Sequence, residues 1–301
     1  MSQLQILIAQ EYKTDIRAKS FWITTLLFPL LTIGFGIFIG LMATESDSLS
    51  SVMDTLGGGA DEKELSAAQG VAMMIGMFLT LFVMSYGAMI FNKVKIEKTS
   101  RIMEVLATCV TGRTMMMAKI IAVGMIGLTQ MAVWAFCIIG VAFGVVMLFH
   151  VPIPLDEIFS LFVLRAIIWG ILFFIGGYVF YGSLFAAVGA MTDKNNENQE
   201  YVSLLTFTLL GSFYIGMYAV DHPFTVLSQA CSYIPFTAAT CGSVGAISGE
   251  IPFWQSALSL LLLLGFAYYS VVFAGKLYTS SLLLKGKKFS PKDLIVFFRS
   301  K

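Results

Sequence analysis

The sequence predicts an all-α integral membrane protein with six transmembrane helices. Hydrophobic residues make up 57% of the 301 residues and charged residues only 12%, whereas a soluble globular chain has roughly 25% charged residues. Six apolar segments follow one another, and each reaches the length of about 20 residues that a helix needs to cross a bilayer. These predicted spans are residues 21–42, 71–91, 120–149, 161–191, 201–220 and 254–277.

Residues 1–20 precede the first span and are predicted to form an amphipathic helix that lies in the membrane interface. Asp15 and Lys19 stand four residues apart, so they can form an ion pair that supports this helix modestly. A disordered tail is the alternative, since short interfacial helices are weakly encoded in sequence. The apolar residues that recur at helical spacing are Leu4, Leu7, Ile8, Tyr12 and Ile16.

Basic residues predict the orientation of the six-span domain, residues 21–277. If the N-terminus is inside, 17 of the 19 Lys and Arg residues lie on the cytoplasmic side, and only Lys63 and Arg165 lie outside. Cytoplasmic loops of membrane proteins are enriched in Lys and Arg, so this orientation is strongly favoured. We therefore expect a protein of the cell (inner) membrane with both termini in the cytoplasm, ending in a basic tail at residues 278–301.

The outer segment between the fifth and sixth spans contains apolar stretches that are each too short to cross a bilayer. The segment is also too apolar for a solvated loop. Pro223, Pro235 and Pro252 interrupt it. It is predicted to form a re-entrant pair of short helices that dips into the outer leaflet, with a surface loop packed on the bundle as the alternative. Cys231 and Cys241 lie here and can either form a disulfide or remain buried thiols.

No catalytic or nucleotide-binding pattern is present in the sequence. It has no phosphate-binding loop of the form GxxxxGK[ST] and no HExxH metal motif. The predicted spans contain no Asp or Glu, although ion and proton relays usually need such groups. A nucleic-acid partner is not predicted either.

Hydroxyl, amide and aromatic side chains within the spans suit the lining of a path for amphipathic or hydrophobic cargo. Hydrogen bonding within or between helices explains such residues equally well. The candidates for this lining are Tyr86, Gln130, Thr206 and Tyr214.

A strongly charged segment lies between the second and third spans. It reads EKTSRIMEVL at residues 97–106 and continues to Lys119. Basic residues surround it, so it is predicted to be a short cytoplasmic helix held between two spans. Such a helix can receive force from a soluble partner. An ordinary solvated loop is the alternative, and composition alone does not choose between them.

This segment, together with MAKII at residues 117–121, resembles the cytoplasmic signature of ABC-2 type permeases. It is most similar to the subgroup named for the sodium-export permease NatB. Further similar stretches are residues 184–190 before a polar turn, residues 233–236 in the outer segment and residues 277–288 in the tail. The resemblance implies the permease subunit of an ABC exporter that works as a homodimer or heterodimer in membrane lipid. ATP and Mg would bind to a separate cytoplasmic ATPase subunit, and this chain would bind no cofactor.

The resemblance also implies that the charged segment couples the permease to the ATPase. The residues expected at that contact are Glu97, Lys98, Arg101 and Glu104. Arg101 and Glu104 are three residues apart on one helix face, so they can form complementary ion pairs with a groove on the partner. A passive channel or a membrane scaffold without an ATPase is the alternative function. The cargo is not identified by the sequence.

Overall fold

The described residues of the computed structural model are helical, apart from short turns, and contain no strand. They comprise residues 3–19, 21–27, 29–30, 34, 67–99, 110–149, 161–192, 200–222, 224–248 and 251–283. The helices are α1 (Gln3–Ile16), α2 (Ala67–Thr99), α3 (Gly112–Phe149), α4 (Leu161–Met191), α5 (Glu200–Asp221), α6 (Val226–Tyr233), α7 (Pro235–Thr237), α8 (Ser243–Ser248) and α9 (Phe253–Leu283). A π-helical segment, Ala238–Gly242, lies between α7 and α8.

Within the described part of the chain, five helices are long and apolar enough to cross a membrane, namely α2, α3, α4, α5 and α9. The predicted all-helical membrane class is confirmed at this level. The predicted first span, residues 21–42, lies mostly outside the described residues, although residues 21–27 are helical. The count of six spans therefore stays a prediction.

The long helices extend past the predicted apolar segments into charged sequence. α2 continues through Glu97 and Lys98 to Thr99, so these residues extend the second spanning helix and do not begin a separate one. α3 already begins at Gly112, which places Lys119 inside a helix. The difference arises because Glu and Lys are good helix formers, so a change from apolar to charged residues does not end a helix. Residues 100–109 lie outside the described ranges.

The centre of the bundle is α4, which packs most extensively against α9 and α2. Two glycines permit its close approach to α2. A Cβ atom at Gly189 would lie only 2.8 Å from the carbonyl oxygen of Phe91. A Cβ atom at Gly87 would lie 2.3 Å from the ring of Phe185. Small residues allow helix backbones in membranes to approach closely, and here they bring α2 and α4 into direct contact.

The N-terminal helix α1 packs against α3. The hydroxyl groups of Tyr12 and Thr129 are 2.8 Å apart and form a hydrogen bond between the two helices. Asp15 pairs with Lys93 of α2 instead of the predicted Lys19. Long-range packing and ion pairing thus hold α1, while its location in the membrane interface stays a prediction.

The predicted outer segment forms the short helices α6 to α8 and the π-helical segment between them. All five residues of Ala238–Gly242 are buried. Cys231 and Cys241 are both buried free thiols, so of the two predicted outcomes the structure has the unpaired one. The re-entrant location of this segment in the bilayer stays a prediction.

Side chains from the long helices satisfy the backbone of this outer segment. Tyr181 of α4 donates its hydroxyl to the carbonyl oxygen of Phe236 at 2.6 Å. Arg165, also on α4, donates to the carbonyl oxygens of Ala246 at 3.1 Å and Ile251 at 3.4 Å. Irregular backbone at membrane depth needs such partners, because no water is there to hydrogen-bond it.

Candidate functional site

A cluster of charged side chains joins α1, α2 and α3 at the end of the bundle where the charged segment begins. We call it the ion network, and its members are Glu11, Asp15, Lys93, Glu97 and Lys119. The Lys93 ammonium lies 2.8 Å from Glu11 and also donates to Asp15. The Lys119 ammonium lies 2.9 Å from Glu11 and also donates to Glu97. Glu11 therefore bridges the two lysines, and through them it connects α2 and α3.

Because its charged groups are buried, each charge in the ion network needs an oppositely charged partner. The Lys119 side chain is only 3% exposed. A buried charge is tolerated only when opposite charges and hydrogen bonds compensate for the loss of water. Glu11 and Glu97 supply that compensation from two different helices, so removing either partner would leave the lysine poorly compensated.

The two lysines lower the pKa of Glu11, which lies in α1 outside the candidate spanning helices. Burial of this carboxyl favours the neutral form, but attraction by Lys119 and hydrogen bonds from Lys93 and Lys119 outweigh it and lower the pKa to about 2. Glu11 is therefore a carboxylate at every physiological pH, and its charge is a permanent part of the ion network.

Two of the four residues predicted to contact an ATPase are described, and both interact within this subunit. Glu97 accepts a hydrogen bond from Lys119. The Lys98 ammonium lies 3.4 Å from the carbonyl oxygen of Thr192, at the end of α4. Arg101 and Glu104 lie outside the described residues. The role of all four at an ATPase contact stays a prediction.

Sequence reasoning missed the ion network as a unit. A weak signal was present, because Lys119 and Lys93 each stand close to an apolar span and a buried lysine needs an acidic partner. The partners themselves were not identifiable, since Glu11 is 108 residues from Lys119 in the chain.

Next to the ion network lies a cavity of about 700 Å³ between residues 15–24, α2 and α3. We call it the aromatic cavity, because aromatic rings form much of its wall. Asp15 of the ion network is part of the lining. The described residues that line it are Asp15, Ala18, Phe21, Thr24, Phe78, Leu81, Phe82, Ser85, Tyr86, Met89, Ile126, Gln130 and Trp134.

Four rings from α2 and α3 contact one another along this wall. The ring centroids of Phe78 and Trp134 are 5.6 Å apart, and those of Phe82 and Tyr86 are 4.4 Å apart. Phe82 also contacts Trp134 edge to face at 6.1 Å. Such contacts stabilise aromatic pairs beyond the area they bury, so the wall is a preformed apolar surface.

The structure brings together two of the four residues predicted to line a translocation path. Tyr86 and Gln130 both line the aromatic cavity, and the Tyr86 hydroxyl donates to the Gln130 side-chain oxygen. Thr206 and Tyr214 lie on α5 and are not part of this lining. Tyr214 is 68% exposed on the outer surface of the described bundle. A transport role for any of the four stays a prediction.

In the described ranges, no group of three or more His, Cys, Asp or Glu side chains is placed to hold a metal ion. The described site contains ion pairs, hydrogen bonds and an apolar cavity.

Comparisons with known proteins identify the family. Residues 49–276 match the family described as "ABC-2 family transporter protein". The chain is 26% identical over 234 residues to "Uncharacterized protein YhaP" of Bacillus subtilis, which covers 76% of this chain and 55% of that protein. It is 23% identical over 235 residues to "Uncharacterized protein MJ1024" of Methanocaldococcus jannaschii, covering 78% of this chain and 55% of that protein.

The chain thus spans about half the length of these curated relatives. No solved structure matches the chain significantly. The family match, in contrast, covers most of the chain and includes the described spanning helices α2, α3, α4 and α5. This chain is therefore a membrane protein of the ABC-2 transporter family.

Proposed function

We propose that this chain is the permease subunit of an ATP-driven ABC exporter, and that a separate ATPase subunit hydrolyses the ATP. The match of residues 49–276 to the ABC-2 transporter family is the observation that carries the proposal. The missing phosphate-binding loop in the sequence agrees with ATP hydrolysis on another chain. The resemblance of residues 97–106 to NatB-like permeases supports placement in that subgroup.

The continuity of α2 supports a route for coupling. One helix connects the lining of the aromatic cavity at Phe78 with Glu97 in the ion network. These two positions are roughly 28 Å apart along an α-helix with a rise of 1.5 Å per residue. Movement of the cytoplasmic end by an ATPase would therefore reach the cavity through a single rigid element. The ion network would carry the same movement to α1 and α3.

The distribution of basic residues supports the orientation of this assembly. Both termini and the charged segment lie in the cytoplasm, where an ATPase is available to them. The permease works as a homodimer or as a heterodimer with a related permease, within membrane lipid. Glu97, Lys98, Arg101 and Glu104 are the residues at or next to the ATPase contact.

Charge reversal in the charged segment tests the proposal. Arg101→Glu and Glu104→Arg should each abolish export and reduce co-purification of an ABC ATPase from native membranes by more than tenfold. Losing one partner of a desolvated charge pair costs about 2–5 kcal/mol, which corresponds to at least that factor. Lys63→Glu is the matched control, since it is expected on the opposite side of the membrane and should change neither readout.

Normal ATPase capture together with normal export in both variants would contradict the coupling role. If a reversal lowers the amount of protein in the membrane, Arg101→Gln and Glu104→Gln keep the test decisive, because a neutral amide alters the local surface less. Cargo flux through vesicles that contain the permease alone, without ATP, would instead favour a passive channel.

A further inference from the structure

We propose that the aromatic cavity binds lipophilic organic cations and that such cations are a cargo class of this protein. This inference rests on the proposed export function for its transport part. The binding site itself is a property of this chain and can be tested without any ATPase.

The size and shape of the aromatic cavity suit an elongated organic molecule. Its volume of about 700 Å³ falls in the range of roughly 300–1,000 Å³ that is usual for small-molecule sites. Its lining on α2 extends from Phe78 to Met89, which is about 16 Å of helix. A molecule with a polar head and an apolar body fits such a space along its length.

Charge selects a cation. Among the residues of the lining that the structure describes, Asp15 is the carboxylate, and none of them is a Lys, Arg or His. A cation would meet the carboxylate of Asp15 at one end of the cavity and share it with Lys93. The described lining offers an anion no basic side chain of its own.

Aromatic faces strengthen this preference. One continuous part of the cavity wall is formed by the contacting rings of Phe82, Tyr86 and Trp134. The face of an aromatic ring attracts cations through its negative charge density. The same rings bury apolar groups favourably, so one surface recognises both parts of a lipophilic cation. Phe78, at the far end from Asp15 along α2, would contact the apolar body.

Two features indicate how such a molecule would enter. Leu81 and Ser85 line the aromatic cavity and are also exposed on the surface of α2. Both lie within the apolar stretch Ile75–Lys98, which is a candidate membrane span. The apolar body of a lipophilic cation transfers favourably from water into a membrane, so the cavity is accessible from the phase in which these molecules accumulate.

The experiment compares two probes of nearly identical shape and opposite charge, tetraphenylphosphonium and tetraphenylborate. Binding to the purified full chain in detergent is measured by equilibrium dialysis. We expect saturable binding of tetraphenylphosphonium and at least about tenfold weaker binding of tetraphenylborate. Asp15→Asn should weaken tetraphenylphosphonium binding by about tenfold or more. Glu200→Gln is the matched control, since Glu200 is an exposed carboxylate on α5, outside the ion network and outside the lining.

A second pair of variants tests the aromatic wall. Trp134→Leu should weaken tetraphenylphosphonium binding several-fold. Phe136→Leu should not, because Phe136 lies on the same helix but is 79% exposed and outside the lining. Equal binding of the two probes, or an unchanged affinity in Trp134→Leu, would overturn the proposal. An equal loss in Asp15→Asn and Glu200→Gln would overturn the role of Asp15.

The test stays decisive if Asp15→Asn does not fold, because the comparison of the two probes uses the unaltered chain. Failure of the cation-binding proposal is also distinguishable from failure of the proposed export function. Absent cation binding with normal ATPase co-purification would overturn the binding site and the cargo assignment and leave the proposed export function in place. Cation binding without any ATPase partner would leave the site in place and remove the export mechanism.

Discussion

The ion network and the outer short helices lie in different regions of the bundle and hold their segments with different chemistry. In the ion network, Lys93 and Lys119 hold α1 through direct pairing with carboxylates. In the outer segment, hydroxyl groups and one guanidinium bond to backbone carbonyls, as Tyr181 does with Phe236. The first arrangement depends on the charge of both partners. The second depends mainly on geometry.

The difference follows from what each region must satisfy. The outer segment contains a buried π-helical turn and several helix ends, which leave backbone groups without the regular helical partners. For example, the Ser259 hydroxyl donates a hydrogen bond to the backbone carbonyl oxygen of Ser232. The ion network has no irregular backbone to satisfy and must instead neutralise buried side-chain charges. Changes of pH should therefore act on the ion network and leave the outer segment intact.

The largest expected effect is that of Lys119→Met. This change removes the ammonium group that pairs with Glu11 and Glu97 and leaves their charges poorly compensated. Breaking a buried ion pair on one side destabilises a protein by about 3–5 kcal/mol. Thermal unfolding of the purified protein in detergent should show a correspondingly lower free energy of unfolding.

Lys13→Ala is the control for that variant, since Lys13 is exposed on α1 and changes at such positions usually alter stability by less than about 0.5 kcal/mol. If Lys119→Met unfolds like the unaltered protein, the ion network does not stabilise this region, and its contrast with the outer segment is lost.

A smaller effect is expected from acid. The folded-state pKa of Glu11 is about 2, below its ordinary value of 4.5. Its stabilising contribution is therefore fully present above pH 4.5 and is lost as the pH falls from 4.5 toward 2. The loss is up to about 3 kcal/mol, since one pKa unit corresponds to about 1.4 kcal/mol. Unfolding measured between pH 3 and pH 7 checks this expectation.

Glu11→Gln isolates the contribution of this one carboxyl, because other acidic groups titrate in the same range. The variant should be less stable at pH 7 and should lose less stability on acidification than the unaltered chain. An identical pH dependence of the two proteins would mean that Glu11 does not couple protonation to unfolding.

The smallest expected effect lies in the outer segment. Arg165→Met removes the donors to the carbonyl oxygens of Ala246 and Ile251. Hydrogen bonds that involve a charged group contribute about 1.5–3 kcal/mol, and the lower end applies to this half-buried pair of bonds. We expect a loss of about 2 kcal/mol that is the same at pH 4 and pH 7. A loss that grows on acidification would contradict the expectation that changes of pH leave the outer segment intact.

Hydropathy predicted the spanning helices well, because a helix across a bilayer needs a long apolar run and few other structures have one. It predicted their ends poorly. α3 begins eight residues before its predicted span at residue 120, since Arg113, Lys119 and their neighbours continue the backbone hydrogen bonding of the helix. A hydropathy boundary marks where side chains change character, whereas a helix end depends on capping and backbone partners.

The site was predictable only in part. Tyr86 and Gln130 were identifiable because polar side chains are conspicuous in an apolar helix. Phe78 and Trp134 were not, because the chain has 26 Phe and 4 Trp residues and nothing local separates those that line a cavity. The ion network was not predictable because its ion pairs join distant segments of the chain. The periodicity of residues along one helix carries no information about which distant segment packs beside it.

The contact between Gly189 and Phe91 has a mechanical consequence. With α4 in close contact at this point, α2 would have a pivot between Glu97 in the ion network and the aromatic cavity. The lever arm from Phe91 to Glu97 is about 9 Å and the arm from Phe91 to Phe78 about 20 Å, at 1.5 Å per residue. If α2 tilts rigidly about this pivot, a 1 Å displacement of Glu97 moves Phe78 by roughly 2 Å in the opposite direction.

Spin-label distances measured from α4 to each end of α2 would reveal opposite displacements in that ratio. Equal displacements in one direction would exclude a tilt. A small displacement at the ion network would then be amplified at the aromatic cavity.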